Sequence, residues 1–206
     1  MIFAIGNSHA NLFTNNHPAI FNEFTEREGF KSYAKVGCVA YHFYEHHLPW
    51  VKEVIEKHGQ KDKIMLIIGE VDCRLHLPIQ SEKQNRTPED ITQECVNRFF
   101  ECVLELRKTN EVIGWGGHPC TNGTKIQNPE NELSGTEFIR NKYYKLWNDL
   151  MKEKCDKNGV PFVTILRHLI NSDGSTNTEY LDDFCHLKYT KAWPLIKREL
   201  NELNLL

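Results

Sequence analysis

The stretch that most constrains how this chain can fold is Lys63-Ile-Met-Leu-Ile-Ile68, a continuous apolar run of strand length that ends at Gly69. A strand with no polar alternation fits burial on both faces, as in the middle of a parallel sheet enclosed by helices. Four further segments read as strands: Ile2 to Ile5, Phe30 to Val36, Glu111 to Trp115 and Pro161 to Ile165. Helical patterns separate them. Phe43, Leu48, Val51, Val54 and Ile55 recur at helical spacing between Tyr41 and His58, with Gly59 as the stop. Thr87-Pro-Glu-Asp90 combines a capping hydroxyl, a proline at the first helical position and acids in the first turn. It opens a helix to about Thr109 with Ile91, Cys95, Phe99, Val103 and Leu106 as its buried stripe. A third helix runs from about Phe138 to Asn158-Gly159, and a fourth from Tyr189 to Leu203 with a bend predicted at Pro194. Strands alternating with helices, with no repeat and no linker, predict one domain over residues 1–206. Its class is α/β, a three-layer α/β/α sandwich on a five-stranded parallel sheet.

Three stretches lack a period: the residues between Ser8 and Lys31, read as loop with a short helix, the polar segment after Arg74, and the Gly/Asn/Pro-rich loop 116–134. A loop as long as the last is usually functional or mobile. A net charge of −3 gives no basic excess for a phosphate backbone, so nucleic acid is not expected as a partner. The seven cysteines form no Cys-x-x-Cys pair and fall in apolar segments, which predicts reduced core thiols, Cys73 and Cys185 among them, in a cytoplasmic protein. The first residues lack a basic leader and a small-residue cleavage site, and no apolar run approaches the ~20 residues of a membrane helix.

The chemistry-bearing residues lie at the two ends of the chain. The first strand runs into Gly6-Asn-Ser-His9, which holds the Ser8 hydroxyl at the carboxyl edge of the sheet, where open α/β folds bind their ligands. Just before the last helix, Asp182-Asp-Phe-Cys-His186 offers a carboxylate, Asp183, three residues from an imidazole, His186. A serine after the first strand with Asp-x-x-His before the last helix resembles the SGNH (GDSL-type) hydrolases. The resemblance extends over essentially the whole chain.

That resemblance implies a flavodoxin-like fold and ester hydrolysis in which His186 takes the proton of Ser8 and Asp183 orients the ring. It also implies a small-molecule or saccharide ester, often an O-acetyl group, as substrate, with no metal and no cofactor. Gly37 stands where the family has an oxyanion-binding glycine amide. Gly69-Glu70-Val71-Asp72 stands where it has Gly-x-Asn-Asp, with Val71 in place of a donating asparagine. The stretch Gly-Glu-Val-Asp-Cys-Arg is similar to a variant of this motif in a less characterised branch, and Arg74, held by Glu70 or Asp72, is the candidate replacement donor. His118 is a further candidate for the cleft. The same residues would serve an acyltransferase, and the fold would also serve a catalytically weak saccharide-binding module.

One competing pattern is His42-Phe-Tyr-Glu45-His46, which fits the inverted zinc-peptidase motif and is enlarged by His47 and His58. That reading needs a third ligand from a downstream helix, and the sequence offers no candidate.

Overall fold

In the computed structural model, which describes residues 1–16, 20–121 and 132–206, the apolar runs form a six-stranded sheet. The strands are β1 (Ile2–Gly6), β2 (Phe24–Arg27), β3 (Phe30–Ala34), β4 (Lys63–Ile67), β5 (Val112–Trp115) and β6 (Phe162–Val163), in the spatial order β2-β3-β1-β4-β5-β6. All neighbours are parallel except β2 and β3. The five predicted strands are present. The sixth, β2, corrects the expected count and lies within a segment expected to hold only loop and short helix. It hides from a periodicity reading because it is a half-exposed edge strand, joined to β3 by a two-residue turn at Glu28 and Gly29. Both turn residues have positive φ, 50° and 84°, the backbone twist that matches an antiparallel hairpin.

The helices are α1 (Phe43–His46), α2 (Leu48–His58), α3 (Leu77–Gln84), α4 (Pro88–Arg107), α5 (Glu137–Asn158), α6 (Leu166–Leu169) and α7 (Tyr189–Glu202). The predicted helix over Tyr41 to His58 divides at His47, because Pro49 sits in the first turn of α2 and cannot continue an earlier helix. Thr87 caps α4 by accepting the Asp90 amide at 3.1 Å. The polar segment after Arg74 is itself helical, a π turn over Asp72–His76 leading into α3. Only Leu77 and Pro78 of α3 are buried, too few to show a period. Pro194 is accommodated inside α7.

Alternate strand residues feed two cores. Phe3, Ile5, Ile64 and Leu66 point to a layer built with Val51, Phe99 and Trp147 of α2, α4 and α5. Ile2, Ala4, Met65 and Ile67 point to the opposite layer, built with Trp193 and Ile196 of α7. The residues on both faces of β1 and β4 are buried, as the unbroken apolar run requires. At the end of β1 a Cβ on Gly6 would stand 2.1 Å from the Ile67 carbonyl oxygen, so only glycine lets the two strands approach just before Ser8. No described helix is long and apolar enough to cross a membrane.

Candidate active site

At Gly6 the chain leaves the sheet and the Asn7 amide donates to the Ile67 carbonyl at 3.2 Å. The Asn7 side chain then accepts the His9 amide at 3.1 Å and caps a 3-10 turn over Ser8–Thr14. Ser8 is thereby fixed at the carboxyl edge of β1. From the far end of the chain comes a tight loop in which one oxygen of Asp183 accepts the amides of Cys185 and His186, at 2.8 and 2.7 Å. Its other oxygen lies 2.7 Å from His186 Nδ1. Because a carboxylate only accepts, Nδ1 carries the proton and His186 Nε2 is left to accept the Ser8 hydroxyl, 2.9 Å away. Residues 178 positions apart thus meet as Ser8–His186–Asp183. Burial pushes the Asp183 carboxyl up, but the hydrogen bonds from the His186 ring and the two amides outweigh it and hold the group well below the usual carboxylate range.

A second imidazole–carboxylate pair stands directly behind. His9 Nε2 lies 2.9 Å from Glu70 Oε2, and both side chains are buried. Arg74 Nε lies 3.0 Å from Glu70 Oε1, its Nη1 lies 2.7 Å from Glu132, and the Tyr144 hydroxyl donates to Glu70 at 3.2 Å. Burial alone would raise Glu70. The Arg74 guanidinium and His9 reverse that and keep it ionised, while burial lowers His9 and leaves it neutral. His118 is held at about 3 by burial beside His9, and donates from Nε2 to the Cys185 carbonyl at 3.0 Å.

A small, open cleft lies over Ser8. Beside Ser8, His9, His118 and His186 it is lined by the apolar Leu12 and Leu187 and by Asn11, Asn15, Asn16, Asp182 and Tyr189. Of the predicted residues, Ser8, Asp183, His186 and His118 therefore come together. Glu70 and Arg74 stand one layer back, bound to each other rather than facing the cleft. Asp72 turns the other way, with both oxygens accepting the Ala40 amide at 2.9 and 3.1 Å. Burial raises it to about 6 against the pull of the amides of Ala40 and Tyr41. Gly37 follows β3 in the segment tied to β1 by Lys35 N to Gly6 O at 2.8 Å, but it does not line the cleft; its φ of 77° accounts for the glycine. Cys73 and Cys185 are buried thiols, as are the other five cysteines.

His9 escaped the sequence reading, although the signal was there. Gly6 pairs with Ile67 in the parallel register, so His9 and Glu70, each three residues further on, emerge at the same sheet edge. The zinc-peptidase pattern does not form a cation site among the described residues: Glu45 is engaged by Arg98 at 2.8 Å, and α1 spans only Phe43–His46. Donor atoms of His9, Cys185 and His186 do lie within 4.8 Å of one another. Both nitrogens of His186 are nevertheless taken by Asp183 and Ser8, and His9 Nε2 by Glu70. Most of the long loop expected over 116–134, residues 122–131, lies outside the described residues.

No protein-family model matches the chain, and no curated protein matches it. Solved structures do. A GDSL-like lipase from Bacteroides thetaiotaomicron superposes with a TM-score of 0.64 at 16% identity, covering 98% of this chain and 88% of that one. A member of the lipolytic G-D-S-L family from Veillonella parvula gives 0.56 at 11% identity, covering 98% and 96%. A catalytic mutant of an acetylxylan esterase from Geobacillus stearothermophilus gives 0.55 at 13% identity, covering 100% and 94%.

Proposed function

We propose that this chain, which has the fold of the GDSL-type (SGNH) hydrolases, is a serine-dependent ester hydrolase. The observation that carries this reading is the hydrogen-bonded run from Ser8 through His186 to Asp183 at the mouth of a cleft. Neutral His186 takes the proton as Ser8 Oγ attacks the ester carbonyl, and Asp183 stabilises the imidazolium that forms. The alcohol leaves with that proton, and water then attacks the acyl-serine with His186 again as base. Half-buried Val71 offers no side-chain donor, so the oxyanion rests on backbone amides, that of Ser8 foremost; loss of one such donor costs on the order of 2.7–4 kcal/mol. Turnover is accordingly expected to be slow.

The cleft favours a small acyl group on a polyhydroxy alcohol. Asn15 and Asp182 present an amide and a carboxylate suited to hydroxyls, and Tyr189 offers an aromatic face. An O-acetylated saccharide is the substrate class we assign, and the likeness to an acetylxylan esterase supports it. The decisive experiment is covalent labelling by a fluorophosphonate probe. Wild-type protein labelled at Ser8, with hydrolysis of p-nitrophenyl acetate and neither signal in Ser8→Ala, is the expected result. An unlabelled, inactive wild type would leave a binding module on the same fold.

A further inference from the structure

We infer that His9 is a positioning residue for His186, and that the Gly69–Arg74 stretch serves to anchor it. The inference rests on the ester-hydrolase reading. The His9 and His186 rings lie 4.7 Å apart between centroids, tilted by 39°, and His118 meets the other side of His9 edge-on at 4.4 Å. The catalytic imidazole therefore rests against a wall of two further imidazoles. Both are pinned through Nε2 to fixed acceptors, His9 to the Glu70 carboxylate and His118 to the Cys185 carbonyl.

The pinning also settles their tautomers. An N–H must point at each acceptor, and in the neutral ring that burial favours each Nδ1 is then a bare nitrogen, without a partner among the described residues. A histidine sealed in this state has no hydrogen to offer an oxyanion and no path by which to exchange protons with Ser8. What it supplies is a flat, rigid, uncharged face. Rigidity matters because a ring free to rotate spends part of its time with Nε2 away from Ser8 Oγ, and misplacement by about 1 Å can cost on the order of a hundredfold in rate. Neutrality matters as well, since a cation at this distance would oppose the imidazolium that His186 must become.

Glu70 secures both properties. It takes the His9 N–H, and its own charge is balanced by Arg74 rather than by protonating His9. Arg74 is fixed in turn by Glu132 and lies over the Phe184 ring at 5.4 Å, next to the loop that carries His186. This gives Glu70 and Arg74 work that does not involve touching substrate.

The test compares His9→Ala with His9→Phe, which restores a flat ring, using p-nitrophenyl acetate and a melting curve for each. His9→Ala is expected to lower kcat about thirtyfold with KM moved less than threefold, and to slow fluorophosphonate labelling of Ser8 in parallel. His9→Phe is expected to recover kcat to within about fivefold of wild type. Should His9→Ala not fold, His9→Leu, which fills the volume without a flat face, takes its place. A kcat within threefold of wild type in His9→Ala or His9→Leu would overturn the inference, as would a loss confined to KM or a His9→Phe no better than the variant it is compared with. An inactive wild type would instead remove the hydrolase reading beneath it.

Discussion

The molecule holds two imidazole–carboxylate pairs a few ångströms apart, and they are built to opposite ends. In Asp183–His186 the side chains are 37% and 23% exposed, and the second ring nitrogen meets a hydroxyl at a cleft. In His9–Glu70 both are 3% exposed, and the second ring nitrogen has no partner among the described residues. The residue types and the bond lengths, 2.7 and 2.9 Å, barely differ. Burial and the third partner separate them. An outer imidazole can charge and discharge during a reaction because water and Asp183 stabilise its cation. A sealed one beside an Arg-paired glutamate keeps a single protonation state and is useful for its shape. On the proposed reading, the same chemistry yields a base in one setting and a support in the other.

The sharpest way to break this contrast is at the outer pair. Ser8→Ala should abolish turnover by at least about four orders of magnitude while leaving the melting curve unchanged, since among the described residues the half-buried hydroxyl bonds to His186 alone. Asp183→Asn comes next. An amide NH₂ facing Nδ1 favours the wrong tautomer, and kcat should fall by roughly 10²–10⁴ with little change in KM.

At Arg74, which balances the charge of the inner pair, the larger effect should be on stability. Arg74→Ala strands the buried Glu70 carboxylate without its cation, and about 3–5 kcal/mol of stability should be lost, a melting temperature lower by roughly 10 °C. A hundredfold loss of kcat/KM at an unchanged melting temperature would place Arg74 in the cleft instead.

The smallest effect concerns Asp72, buried like Glu70 but with no cation beside it among the described residues. Its carboxyl is raised from 3.8 to about 6, so between those values the folded state holds a proton that the unfolded state has released. The contribution of Asp72 to stability should therefore fall as pH rises through this window, by roughly 2–3 kcal/mol. Glu70 and Asp183, both lowered, act in the opposite sense and at lower pH: their stabilisation is present above about pH 4.5 and lost in stronger acid. Melting temperatures of wild type and Asp72→Asn at pH 4.5 and 7 separate the two. His9 and His118, both lowered, gain stability over the same range, so the difference between the two proteins reports Asp72: from pH 4.5 to 7 the melting temperature of Asp72→Asn should shift upward relative to that of the wild type, and an equal change in both would rule Asp72 out.

How much of this the chain declares in advance follows from the range of each interaction. The apolar run at β4, the capped start of α4 at Thr87 and the stop at Gly159 are local, and each is visible in a window of a few residues. Asp183 and His186 are legible for the same reason, since their mutual geometry is closed within one loop. The likeness of Ser8 and that loop to a known pattern supplied their connection, which spacing alone does not contain. The edge strand β2 was lost because its residues are half-exposed and carry no alternation. Helix α3 was lost because it buries too little. Tertiary structure alone decided what Glu70, Asp72 and Arg74 do. Three residues within one turn and a half face three directions, toward His9, Ala40 and Glu132, and which partner each meets depends on strand register and helix packing. A carboxylate in a sequence is only a charge; whether it becomes an anchor, a loop tie or an orienting base is set by the desolvation and the partners that the fold imposes.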